Sequence, residues 1–568
     1  MKSRLGPSEA LSLILLGFVL VGFVAYPIVT GVLQSMLVDG ELSTNHYQEL
    51  FDSRRLTTID AVSNSVLLSL ITVVLSGILG CLLAFTFTQL SPLIRSALYP
   101  FAVLPVAMPP LVGVIAFLFV FGEGGILPRL LMQVFSAERP IFYLDGFGAI
   151  VAVHAYSFHV YSLLFVSAAL RNVDASQLEA AASLGASPFS TMFRVIVPHI
   201  RPALMGAATL TFMSSMASFS APFIFGGDMH FLTTLIYSTK LNGDLDLAAA
   251  QSALLMVVSA LFFLGFAVLR RKGARSVAVK GVPHIGVLDV GHVGVRLLVS
   301  ALVLLLLFEA FPLLTIMIVS FAQEGSWTWQ LLPTAYTLEN YARLFSDPSV
   351  FEPVQNSIVM GSLTVGMSAL VGTVAAYAIT KGALRKGRVV LDTLLSLPLS
   401  IPGTVIAIYL IVAFSEPTVL TGGNILLGTF WILPLAYFIR TYPMVLRSAS
   451  SSLERVDDSI VESAEILGAG SFSRFRRIIF PLIVPGILAG SLLVMITALG
   501  EFVSSILLYT PTNRPISIEI LAQLRAYNFG AATAYSVFLL LIALFFSWIS
   551  ERLGRWRGMG AESEAVLD

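Results

Sequence analysis

Residues 60 to 89 carry no charged side chain after Asp60, and the run exceeds the roughly 20 residues that a helix needs to cross a bilayer. Similar apolar runs recur at 11–36, 97–121, 146–170, 201–225 and 246–269, then at 294–322, 353–380, 389–414, 424–446, 483–509 and 530–551. Inside lipid no water is present to pair with backbone N–H and C=O groups, so each run is expected to be an α-helix. The expected fold is an all-α polytopic membrane protein with about 12 transmembrane helices. A composition of 57% hydrophobic and 12% charged residues, with mean hydropathy +0.88, excludes an ordinary soluble domain. The formal net charge is zero and gives no reason to expect a nucleic-acid partner. Cys81 is the single cysteine, which excludes an intrachain disulfide or a cysteine metal cluster. Met1 to Arg4 followed by an apolar run imitates a signal peptide. No small-residue cleavage site follows, so an uncleaved first span is expected.

Lys and Arg sort by side. Lys2, Arg4, Arg95, Arg171, Arg194, Arg201, Arg270 to Lys272, Lys381 to Arg388, Arg474 to Arg477 and Arg552 to Arg557 all fall on one face. The other face holds about eight, including Arg54, Arg55, Arg129, Lys240 and Arg514, and the positive-inside rule places the richer face, with both termini, in the cytoplasm. Ala25-Tyr-Pro27 matches Ala310-Phe-Pro312, Asn64-Ser65 matches Asn356-Ser357, and Pro105 and Pro109 match Pro398 and Pro402. The chain therefore reads as a tandem duplication of two parallel six-span repeats, 1–270 and 294–568, joined by a cytoplasmic linker at 271–293.

One polar segment is also duplicated. Glu179-Ala-Ala-Ala-Ser-Leu-Gly185 leads through Arg194 to Pro198, and Glu462-Ser-Ala-Glu-Ile-Leu-Gly468 leads through Arg477 to Pro481 at identical spacing. Each copy reads as a short helix, stopped by Gly185 or Gly468, followed by a second helix that Ser187-Pro188 opens in the first copy. The small face at Ala180 to Ala182 allows close approach of another surface, and Pro198 and Pro202 are expected to mark the turn into the next span. The product is a helix–turn–helix elbow on the cytoplasmic face.

These segments resemble the "EAA" loop of ABC importer permeases that work with a substrate-binding protein. The second copy departs in having Ser463 for the first Ala and Phe480 for Leu. The resemblance implies that Glu179, Ala180, Ala181, Gly185 and Pro198, with Glu462, Ser463, Ala464, Gly468 and Pro481, belong to two coupling helices docking in a cytoplasmic ABC ATPase homodimer. It also implies a periplasmic or extracellular substrate-binding protein as partner, alternating access between the two halves, and a bacterial inner-membrane location. No G-x-x-x-x-G-K-[ST] segment is present, so ATP and Mg are expected on the ATPase and no cofactor on this chain. The chain reads as a transport subunit and not an enzyme. Its fused form is most similar to ferric iron permeases; thiamine and phosphonate permeases share or approach that form, and polyamine permeases resemble each half.

Ionisable groups at membrane depth are functional candidates. Glu501 in Leu499-Gly-Glu-Phe502, with Ser218 as its counterpart and Ser214 nearby, is a candidate for the translocation path; an interhelical hydrogen bond is the competing role. Glu309 is expected to be structural, His154 and His159 to be packing residues and not metal ligands, and Arg440 and Arg447 to snorkel to the cytoplasmic face. The external segments 37–59, 226–245, 323–352 and 510–528, with Trp327 and Trp329 at an interface, would receive the binding protein, and Asp228, Lys240, Asp244 and Asp246 are candidate contacts. A transporter of another class, driven by a proton or sodium gradient through Glu501 or Glu309, would have no use for the two elbows.

Overall fold

A computed structural model describes residues 7–38, 40–52, 57–274, 291–381, 384 and 388–556. The chain is helical apart from loops and a two-residue antiparallel hairpin, in which Leu37–Val38 pairs with Glu41–Leu42. The helices used below are α1 (Leu13–Gln34), α2 (Thr57–Thr88), α3 (Pro92–Ala107), α4 (Pro110–Phe121), α5 (Gly146–Leu170), α6 (Ala175–Ser183), α7 (Val197–Met216) and α8 (Leu245–Ala274). They continue as α9 (Gly291–Val319), α10 (Pro348–Thr380), α11 (Arg388–Ser396), α12 (Gly403–Phe414), α13 (Ile432–Glu454), α14 (Asp458–Ile466), α15 (Phe480–Leu499) and α16 (Phe529–Trp556). Of the linker expected at 271–293, residues 275–290 lie outside the described residues.

Among the described residues ten helices are long and apolar enough to cross a membrane, or eleven if one bent pair counts as a span. The run expected at 424–446 becomes α13, which has 23 residues but carries Arg440 and Arg447. Several expected spans are interrupted. The run 389–414 bends by 95° between Ser400 and Gly403, and the run 97–121 breaks at Met108-Pro109. A proline has no N–H to give and pushes the residue before it out of the helical region. Met108 and Ile401 accordingly take ψ of 133° and 127°. The runs 201–225 and 483–509 break too, leaving the short helices Ser220–Phe225 and Val503–Leu508 after α7 and α15.

The chain forms two compact units that do not follow the halves 1–270 and 294–568. One gathers the described residues of Met1–Leu50, Ile236–Ala253 and Leu338–Ala565; the other gathers those of Phe51–Leu235 and Leu254–Thr337. The first span of each half is therefore packed with helices of the other half. In the first of these units α1 lies on α12, where the rings of Phe23 and Phe414 stack at 6.1 Å. Gly31 makes that approach possible, since a Cβ there would stand 2.1 Å from Tyr409 Cδ1. In the other unit α9 lies on α4, with Phe308 at 6.0 Å from Phe117 and 5.4 Å from Phe121.

Within each unit the second and fourth spans of a half cross at a glycine. A Cβ on Gly80 would lie 2.4 Å from the His159 carbonyl oxygen on α5, and a Cβ on Gly372 would lie 2.9 Å from Leu446 N on α13. Both glycines stand sixteen residues beyond the asparagine of the repeated Asn-Ser pair. Small residues let membrane helices gain the van der Waals contact that drives their association. Gly372→Val should therefore cost about 1–3 kcal/mol through overpacking, read as a lower thermal midpoint of the detergent-solubilised protein. Gly366→Val, on the same helix with open space around it, should leave the midpoint unchanged.

Candidate functional site

The two elbows are built by local rules. The Asp174 carboxylate accepts the Ser176 N–H (3.0 Å) to cap α6, and Asp457 accepts the Ser459 N–H (2.9 Å) to cap α14. At the other end Ala186 N–H donates to Ala181 O (3.0 Å) and Gly185 N–H to Ala182 O (2.9 Å). The second copy repeats this as Ala469 to Ala464 (3.0 Å) and Gly468 to Glu465 (2.9 Å). These are paired Schellman closures, which need a left-handed residue; Gly185 has φ +75° and Gly468 φ +83°. Nothing lies within 4 Å of where a Cβ would stand on either, so conformation and not space selects glycine.

The expected turn at Pro198 and Pro202 is not there. From Pro188 the chain runs on as helix to Met216, with Pro198 and Pro202 inside it. Just before Pro198 the helix widens, and Val197 N–H bonds Met192 O five residues back. Phe480 N–H bonds Phe475 O in the same way before Pro481. A proline cannot donate to the carbonyl four residues earlier, and one widened turn lets the helix continue past it. The second arm of each elbow is thus the extension of the following span.

Glu179, Ala180, Gly185 and Pro198 are exposed and Ala181 is half-buried; Glu462, Ser463, Gly468 and Pro481 are exposed and Ala464 is buried. Large apolar side chains stand out beside them: Leu184 at 88% exposure and Phe189 in the first copy, Leu467 at 86% and Phe472 in the second. The exposed apolar side chains thus stand at matched positions on the two elements. The copies differ in what holds them. Lys381 pairs with Asp458 and donates to the Val456 carbonyl (2.8 Å), and Glu465 pairs with Arg474. At the matching places the first copy has Ala175, Ala182 and Thr191. The hydrogen bonds from Ser459 also hold the Asp457 carboxyl below its ordinary range. That cap is complete above an ordinary Asp pKa of about 3.9 and is lost as pH falls through the lower folded value. Amide exchange of Ser459 should therefore be slow at neutral pH and, corrected for its intrinsic rate, rise in acid; Asp457→Asn should abolish that rise.

Deeper in the chain the helix breaks are closed by polar side chains. Asn64 Nδ2 donates to His230 O (3.0 Å) and Leu232 N–H to Ser65 Oγ (3.0 Å), while Asn356 Nδ2 donates to Arg514 O (3.2 Å) and Ile516 N–H to Ser357 Oγ (2.8 Å). The Asn-Ser repeat visible in the sequence thus anchors the loop beyond each broken span. Thr233 Oγ1 donates to Ser218 O (2.7 Å) and Ser517 Oγ to Glu501 O (2.9 Å).

The candidate pathway residues fall in different units. Ser218 Oγ lies 2.8 Å from His154 Nε2, and His154 Nδ1 lies 3.1 Å from Ser215 Oγ, which accepts from Ser69 Oγ (3.1 Å). Ser214 Oγ donates to Tyr161 OH (3.4 Å). Glu501 instead forms an ion pair with Arg440 Nη1, and its other oxygen accepts the Ser504 N–H (3.0 Å). The side chain of Glu501 is 5% exposed and that of Arg440 27%. Arg440 therefore does not snorkel: a buried carboxylate across the helix pair holds it at depth. Sequence reasoning missed this partner. Its available signal was an Arg and a Glu both inside apolar runs of one half, where the other half has Ser157 and Ser218. His159 Nε2 lies 3.1 Å from Glu309 Oε1, joining α5 to α9. No group of three His, Cys, Asp or Glu side chains suited to a metal occurs among the described residues.

In the segments expected on the outer side, Trp327 is buried beneath Arg129, which donates to Thr328 O (2.7 Å) and Gln330 O (2.5 Å), while Trp329 is exposed. Asp246 accepts from Gln34 Nε2 (2.9 Å) and Asp244 from the Leu247 N–H (3.0 Å), so both carboxylates have structural work. Glu501→Ala should cost about 3–5 kcal/mol by stranding Arg440 at depth. Replacing Arg440 and Glu501 together by Gln should cost less than the sum of Arg440→Gln and Glu501→Gln, a non-additivity read from the thermal midpoints of these three variants and the parent protein.

Residues 76–275 and 368–558 each match the family described as binding-protein-dependent transport system inner membrane component. The chain is 30% identical over 445 residues to the probable ABC transporter permease protein y4fN of Sinorhizobium fredii, covering 78% of each chain. It is 28% identical over 557 residues to the ferric transport system permease protein FbpB of Actinobacillus pleuropneumoniae, covering 95% of this chain and 77% of that one. The putative 2-aminoethylphosphonate transport system permease protein PhnV of Salmonella choleraesuis is 26% identical over 261 residues, which is 46% of this chain and 94% of that protein.

Proposed function

This chain belongs to the inner membrane components of binding-protein-dependent transport systems, and from that membership we propose that it carries ferric iron, delivered by an external binding protein, across the cytoplasmic membrane. It is a multi-pass permease component of an ABC transporter, with both permease units on one polypeptide. The observation that carries the mechanism is the pair of matched elbows, each capped by an aspartate and closed by a left-handed glycine. In this reading Leu184 and Phe189, with Leu467 and Phe472, seat in the two subunits of a cytoplasmic ATPase homodimer that supplies ATP and Mg. Because the second arm of each elbow continues into α7 or α15 without a turn, a displacement of the ATPase reaches the membrane helices as a rigid-body movement. Glu179 and Glu462, exposed on the first arms, add charge to that contact. Both termini then lie in the cytoplasm, and the segments around Trp329 and Asp228 face the binding protein.

Iron as cargo is supported by the breadth of the likeness to the ferric permease, 95% of this chain. Thiamine, phosphonate and polyamine are the alternatives within the same class. Gly185→Leu with Gly468→Leu, each forcing a branched side chain into a left-handed conformation at about 1–2 kcal/mol, should abolish both co-purification of the ATPase and ATP-driven uptake. The amount of protein in the membrane should not change. Retained co-purification and uptake would overturn the docking reading. Metal analysis of the binding protein purified with the complex should find iron. An organic ligand would replace the cargo, and uptake that follows an ion gradient with no ATPase present would replace the class.

A further inference from the structure

The fourth span of the second half is wrapped on all sides but one. From Ile432 to Ser450, Arg440, Met444 and Ser448 are half-buried and Arg447 is exposed while the residues between them are buried; Ser448 Oγ donates to Gly486 O (2.7 Å) on α15, at the edge of the strip, and Ser451 continues it towards the elbow. These positions recur every three or four residues and form one stripe on α13. Arg440 lies about 12 Å along the helix from Ile432 and about 21 Å from Glu454, so the stripe reaches from mid-depth to the elbow. Lipid contact along such a polar strip would be expensive, which favours a strip that faces water. The matching stripe on α5 (Ser157, Tyr161, Leu164, Phe165, Ala168) has no charge.

We infer that the α13 stripe is the part of the passage that receives cargo as an anion, with Arg440 the group that meets it. Arg440 spends one Nη1 hydrogen on Glu501, and a guanidinium has five donors in a planar fork suited to carboxylate, phosphate or phosphonate oxygens. Glu501 is buried and engaged by Arg440 and by the Ser504 N–H, so it orients the fork and offers nothing to a cation. No other carboxylate occurs on α13 before Glu454, which is paired with Arg388. On α13 itself a bare trivalent cation would meet two guanidiniums and no unpaired carboxylate. Iron would therefore pass as an anionic complex, and a phosphonate would pass as itself. The inference rests on the permease reading for the word cargo, and the sign of the field along the stripe is tested separately.

The test uses single cysteines in a Cys81→Ser background of the complete complex, at Met444 and at its first-half counterpart Tyr161. Modification by an anionic and by a cationic methanethiosulfonate reagent is timed from the elbow side, relative to the rates with a free thiol. The expected anion-over-cation preference at Met444→Cys is on the order of tenfold, with no preference at Tyr161→Cys. Replacing Arg440 and Glu501 together by Gln, which leaves no buried charge unpaired, should lower it, and adding Arg447→Gln should remove the rest. Ser451→Cys reports access if Met444→Cys fails to fold. No modification at Met444 or Ser451, or a preference for the cation, overturns the proposal. Ferric citrate, inorganic phosphate and 2-aminoethylphosphonate are then compared as competitors; the one that slows the anionic reagent at Met444→Cys alone identifies the anion, and failure of all three counts against the site. Uptake is not the readout, so loss of ATP-driven import and loss of this selectivity are distinguishable results.

Discussion

A break in a membrane helix strands backbone N–H and C=O groups where no water can reach them, and the layout of this protein follows from how its breaks are closed. The carbonyls of Ser218 and Glu501 sit at such breaks and are met by the hydroxyls of Thr233 and Ser517. The loops that follow are tied back by Asn64 and Ser65 in one half and by Asn356 and Ser357 in the other. Hydroxyl and amide side chains are placed in an apolar chain for this purpose. Where two breaks come near each other, as Gly403 does to Glu501 and Ser504, the polar groups gather into a site.

The two halves solve the same geometric problem with different chemistry. In the first, His154 bridges Ser215 and Ser218 and the cluster can remain neutral. In the second, Ser157 and Ser218 are replaced by Arg440 and Glu501, and the cluster is an ion pair. A buried ion pair is weak evidence for stability, because desolvation offsets much of the attraction. Its presence in one copy only, beside an open polar stripe, is better explained by what passes along the stripe. The elbows show the same divergence on a milder scale: one is held by its aspartate cap and glycine closure, and the other adds the ion pairs of Lys381 and Arg474.

Membrane helices gain little from hydrophobicity when they meet, since lipid tails are as apolar as leucine, so close approach decides which helices associate. Gly80 and Gly372 set the crossing of the second and fourth spans in each half, and Gly31 sets the seat of α1 against Tyr409. The Gly80 and Gly372 pair is legible as a repeated glycine at a fixed distance from Asn-Ser; Gly31 has no counterpart of that kind. The exchange of α1 and α9 between the halves places α1 on Tyr409 and Phe414 of α12 and α9 on Phe117 and Phe121 of α4, and no property of the apolar runs themselves announces it.

Much of the architecture was set by short-range rules that the sequence states openly. Lipid makes a long apolar run a helix, an aspartate before a helix and a glycine after it make a capped elbow, and duplication makes everything occur twice; each depends on residues within a few positions of one another. What the tertiary structure alone decided involves distance along the chain. Pro198 looked like the end of a helix because a proline ends one unless the turn before it can widen, as Met192–Ile196 does. Arg440 looked free to snorkel because its partner lies 61 residues away. A charge at depth goes to whichever opposite charge packing brings to the same level, and that level is determined by helix tilt, breaks and glycine seats acting together.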